Sequence, residues 1–134
     1  MPYLTELFSN GTGLRRVGQG VLTGEEILQA LRSWPSGIAE PERITHGLVD
    51  LTGVTSLRVT LEDVKTIADI DRKNAEDMNL THVAMVAPTD LLFGMSRLYE
   101  GLAAIPHWNV NFFRTLDEAE AWLDAVVPAR GGLA

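Results

Sequence analysis

Residues 81–87 read Thr-His-Val-Ala-Met-Val-Ala, apolar on both faces of an extended chain. A strand covered on one side alternates apolar and polar residues; one without alternation has to be covered on both. This segment predicts a central parallel strand. Tyr3 to Phe8 alternates and carries Tyr, Thr and Phe, so it reads as a strand. Ser9–Gly13 is a turn whose Asn and Gly tolerate positive φ. Leu14–Leu22 resumes as a strand, giving an antiparallel hairpin, with Gly18 and Gly20 marking a bulge or a close backbone approach. Ile44–Leu51 and Trp108–Phe113 complete the strands.

Helices fill the intervals. Three open on Thr-x-x-acid, at Thr23/Glu26, Thr60/Asp63 and Thr115/Glu118. At that spacing the hydroxyl and the carboxylate each satisfy a backbone N–H of the first turn. Thr23 opens a helix carrying Ile27, Leu28, Leu31 and Trp34, stopped by Pro35-Ser36-Gly37. Thr60 opens one running to about Met78, and Thr115 one running to about Val126. Pro88-Thr89-Asp90 opens another, from Leu91 to about Ile105. The order is β-β-α-β-α-β-α-β-α, an α/β fold. It predicts a mixed, mostly parallel sheet of about five strands with an N-terminal antiparallel hairpin and four helices.

The chain has 134 residues and reads as one domain over 1–127, with 128–134 as a flexible tail. Eleven basic and 18 acidic residues leave a net charge of −7, against a phosphate-tracking nucleic-acid surface. Zero Cys excludes a disulfide framework, a thiolate nucleophile and a Cys-ligated metal. No apolar run is long enough to span a bilayer, and the first residues lack a signal-peptide pattern, so a cytoplasmic protein is expected.

Reactive constellations are not expected. Gly18-x-Gly20-x-x-x-Gly24 is one residue too long for a dinucleotide fingerprint. His46, His82 and His107 lie near strand beginnings, away from the carboxyl-end crevice where α/β sheets bind ligands, and read as structural. Ser96 falls inside a helix without a nucleophile elbow. Asp50, at a strand end, lacks the acidic pair and the Lys of a phospho-acceptor site. No catalytic residue, metal or cofactor is predicted. One residue is odd: Asp71 falls in the middle of the second helix's apolar face with Val64, Ala68, Ala75 and Met78. A buried carboxylate needs a partner, a proton or a helix break, and Asp71 reads as a hydrogen-bonded or partly exposed group near a kink, or as a polar group lining a pocket.

The stretch Val83-Ala84-Met85-Val86-Ala87-Pro88-Thr89-Asp90-Leu91-Leu92-Phe93-Gly94 resembles the small bacterial SpoIIAA-like, STAS-type proteins. So do Leu22–Leu28 and the ending from Asn111 through Ala121-Trp122-Leu123. The resemblance spans about residues 3–126 and implies a β-α superhelix on a mixed sheet. Its best understood members are anti-sigma-factor antagonists, which bind a kinase and are switched by phosphorylation of a Ser in an Asp-Ser-Ser/Thr-Gly motif. Here that motif falls on Arg58-Val59-Thr60-Leu61, where Val59 replaces the Ser and Leu61 the Gly. Thr60 is the nearest hydroxyl and reads as a helix cap. A more distant similarity, to CRAL-TRIO-type lipid carriers, implies a groove for an apolar ligand.

Two surfaces follow as expectations. In the third helix Leu91, Met95, Leu98, Leu102 and Ile105 form a stripe expected to pack on the sheet, with Gly94 toward the core. Leu92, Phe93 and Tyr99 would then remain as a partner surface oriented by Arg97. At the carboxyl ends of the strands Asp50, Arg58, Thr89, Asp90 and Arg114 are the ligand-binding candidates, beside helix N-termini that suit an anion. The expected function is a non-enzymatic binding or regulatory module that docks a protein or itself as a homodimer. The alternative is a small apolar-ligand or lipid carrier.

Overall fold

The computed structural model describes residues 3–33, 39–105 and 107–127. The expected helix stop at Pro35-Ser36-Gly37 and the tail at 128–134 lie outside the described residues.

Five strands form one sheet: β1 (Tyr3–Phe8), β2 (Gly13–Thr23), β3 (His46–Arg58), β4 (His82–Val86) and β5 (Asn109–Phe113). They lie in sequence order, with β1 antiparallel to β2 and the rest parallel. The reversal between β1 and β2 puts Ser9, Asn10 and Gly11 at positive φ, where Asn and Gly are tolerated. Four helices follow: α1 (Gly24–Ser33), α2 (Leu61–Ala75), α3 (Asp90–Ala103) and α4 (Leu116–Val126). The three Thr-x-x-acid starts cap as expected: Thr23, Thr60 and Thr115 accept from the backbone of Glu26, Asp63 and Glu118. Thr89 caps α3 the same way.

Neighbouring parallel strands joined in order by same-handed crossovers place their helices on one face. α1, α2 and α3 accordingly pack side by side on one face of the sheet, while α4 lies over β3, β4 and β5 on the other. The alternation along β4 shows both layers. Val83 and Met85 face the three-helix side with Leu14, Ile44 and Leu80. Ala84 and Val86 face α4 with Leu48, Ala119 and Leu123. The doubly covered strand read from residues 81–87 is β4.

Three differences from the sequence reading stand out. First, β3 runs seven residues past Leu51, pairing with β2 as far as Thr23↔Arg58, while β4 ends opposite Asp50. Leu51 and Val54 are buried, and β2 follows the extension by shifting register twice, with Gly20 at positive φ. Second, α2 stops at Ala75 and α3 at Ala103, where Ala104 turns left-handed. Third, α3 is rotated from the expected orientation. Leu92, Ser96 and Ala103 are buried, whereas Leu91 is 63% and Leu98 is 40% exposed. Gly94 has open space around it rather than the core.

Two glycines give opposite expectations. A Cβ on Gly13 would lie 2.6 Å from the Phe8 ring and 2.8 Å from His46 Nε2, and those rings are already packed edge to face. Gly13→Ala should therefore lower stability by about 1–3 kcal/mol in urea unfolding. Gly94→Ala, in exposed helix, should raise it by about 0.5–1 kcal/mol.

Candidate functional site

β2 alternates its side chains, so Arg16 shares a face with Leu14 and points into the three-helix layer. Asp71 shares the buried face of α2 with Val64, Ile67, Ala68 and Ala75. The two meet: Arg16 Nη1 lies 3.4 Å from Asp71 Oδ1, with side chains 9% and 10% exposed. From α3 the Tyr99 hydroxyl donates to Asp71 Oδ2 at 2.5 Å. Tyr3, on β1, completes the cluster beside Arg16.

The electrostatics follow from burial and from this pairing. Burial is the largest single influence and pulls the Arg16 guanidinium down, but Asp71, Tyr3 and Tyr99 together outweigh it and the group sits above its usual value. Burial and the negative charge of Asp71 raise the Tyr99 phenol well above 10. Burial also raises Tyr3, and Arg16 opposes that shift. Both phenols thus keep their protons through the neutral range.

The cluster forms part of the wall of an apolar pocket of about 130 Å³ between the sheet and α1–α3. Leu22, Leu31, Val49, Ile67, Met85 and Leu92 supply its apolar lining, and Trp108 adds an indole just ahead of β5. Two buried N–H groups on lining residues have no acceptor, Arg16 Nε and Trp108 Nε1. Among the described residues no group of His, Asp and Glu is placed to hold a metal ion.

Of the ligand candidates at the carboxyl ends, Thr89, Asp90 and Arg114 lie together and Arg58 lies apart. Asp90 and Arg114 pair at 2.9 Å, and Arg114 also covers the Phe93 ring at 4.3 Å. Thr89 is used as the α3 cap. Asp50 accepts from the backbone and hydroxyl of Thr52. Arg58 stands at the far end of the extended β2–β3 ribbon, exposed and paired in register with Thr23.

The partner surface expected on α3 is also rearranged. Leu92 lies in the core with Leu22, Leu51 and Ala87, and Tyr99 turns inward to Asp71. Phe93 packs on Phe112, ring centroids 5.8 Å apart, and the exposed Arg97 covers Phe112 at 5.4 Å. Arg97, Phe112, Phe93 and Arg114 thus form one stack linking α3 to β5. The outward apolar residues of α3 are Leu91 and Leu98.

Asp71 was marked in the sequence by its apolar helix face. Arg16, Tyr3 and Trp108 were not. The available signal was an Arg at an inward position of β2, in step with Leu14. Of the histidines, His46 is buried against Thr45, Ser9 and Phe8, His82 meets Thr81 and Trp122, and His107 is exposed.

No protein-family model and no curated relative matches the chain. Among solved structures it is similar to an uncharacterized protein of the DUF3478 family with a SpoIIAA-like fold, from Shewanella loihica PV-4. The two share 21% identity over 90% of this chain and 91% of the other, with a TM-score of 0.54. The fold of this chain is SpoIIAA-like, as the sequence resemblance implied. No helix among the described residues is long and apolar enough to cross a membrane.

Tyr99 supplies a pH test. Its pKa is raised on folding, so the contribution of its protonated form is complete below about 10 and is lost as the pH climbs from there toward the folded value. Urea stability should fall above pH ~10 with a slope of up to about 1.4 kcal/mol per pH unit from this group. Tyr99→Phe should cost about 1–3 kcal/mol at pH 7, because Asp71 loses a donor, and should flatten the alkaline slope.

Proposed function

We propose that this chain is a non-enzymatic binding module that holds a compact apolar molecule between its sheet and its first three helices. The observation that carries the reading is the pocket itself, apolar in most of its lining and with a buried polar cluster at its wall. Its 130 Å³ lies below the roughly 300–1,000 Å³ usual for larger ligands. An apolar cavity of about 150 Å³ accommodates benzene. The volume therefore favours a small ring or short branched chain over a lipid tail. Binding is favoured over turnover because the polar groups are engaged with one another. Asp71 is held by Arg16 and Tyr99, and the phenols stay protonated.

A second reading, docking of a protein or a second copy, draws support from the exposed Leu91 and Leu98 on α3. It no longer centres on Leu92 or Tyr99. Native mass spectrometry separates the two. The binding reading predicts a 14.7 kDa monomer with a small adduct, on the order of 100 Da for a molecule of benzene size. Added toluene at about ten times its Kd should raise Tm by a few degrees. A bare dimer with a Tm indifferent to toluene would contradict the pocket reading and favour self-association.

A further inference from the structure

The polar atoms of the pocket are not balanced. Arg16 and Asp71 cancel in charge, and both oxygens of the Asp71 carboxylate already accept, Oδ1 from Arg16 and Oδ2 from Tyr99. The groups left over are both donors. Arg16 Nε is buried without an acceptor in a side chain that is itself nine-tenths buried, and Trp108 Nε1 is buried without an acceptor in a half-buried side chain. Both residues line the pocket.

A buried N–H left unpaired is costly, and a molecule that brings an acceptor removes that penalty. A molecule that brings only donors or only hydrocarbon leaves it in place. A molecule that brings a full negative charge meets no net positive charge, because Asp71 already neutralises Arg16, and it must shed its hydration on entry. We infer that the pocket selects a small, uncharged molecule with an apolar body and a hydrogen-bond-accepting oxygen, of the ketone or ester class, read by Trp108 Nε1–H. This assignment rests on the pocket being a ligand site and adds the chemistry of the ligand.

Three probes of one size separate the possibilities: cyclopentanone, its hydrocarbon isostere methylenecyclopentane, and cyclopropanecarboxylate. Each is titrated at pH 7 into 15N-labelled protein and followed by NMR. The indole N–H of Trp108 is identified by its loss in Trp108→Phe. Cyclopentanone should bind about tenfold more tightly than methylenecyclopentane, the worth of roughly one hydrogen bond. It should move the Trp108 indole signal downfield, and Trp108→Phe should shrink its advantage over the hydrocarbon several-fold. The carboxylate should not bind. If the hydrocarbon binds as well as the ketone and the indole signal stays put, the ligand class is wrong while the pocket stands. Preferential binding of the carboxylate overturns the class in favour of an anion. If none of the three binds the folded protein, both the class and the pocket reading fail.

Discussion

The contact on which the arrangement of the helices depends is the buried ion pair between Arg16 and Asp71, with Tyr99 as its third member. Each side chain is unfavourable in the interior alone, because a charge leaving water loses several kcal/mol of hydration. Together they are tolerable in one geometry. That geometry seats α2 against β2, and it asks α3 to present Tyr99 to α2. Three elements far apart in sequence are thereby held at one point over β2. The apolar contacts around the point have no comparable directionality, since hydrophobic burial is satisfied by many orientations.

The rotation of α3 illustrates the consequence. Two overlapping stripes run along this helix, one through Leu91, Met95 and Leu98 and the other through Leu92, Ser96 and Tyr99. Periodicity favours the first, which is the more apolar. The structure adopts the second, because Tyr99 finds Asp71 and the small Ser96 is buried on the same inward side. Leu91 and Leu98 are left outside as a result.

The local features were legible because their causes are local. The capping boxes, the left-handed turn after β1 and the doubly covered β4 each follow from a few adjacent residues, and the strand and helix order follows from them. What was missed depends on distant pairing. The extension of β3 beyond Leu51 needs the bulged end of β2 as its partner. Asp71 announced itself by standing on an apolar face, but Arg16 lies 55 residues away, and nothing in the spacing joins them. The pocket has the same origin, since its walls come from all five strands or their flanks and from three helices. The carboxyl-end candidates have partners within the fold. Asp90, Arg114, Thr89 and Asp50 have residue types suited to a ligand, and the fold uses them on a helix cap, on a neighbour within β3 and on one another.

A double-mutant cycle on Arg16 and Asp71, read by urea unfolding at pH 7, tests the central claim most directly. Asp71→Leu leaves a buried guanidinium unpaired and should cost about 3–5 kcal/mol, and Arg16→Leu a similar amount. The double variant should cost about 2–3 kcal/mol less than the sum of the two single losses. Single losses that simply add in the double variant would show that the pair does not hold the layer together, and would contradict the account.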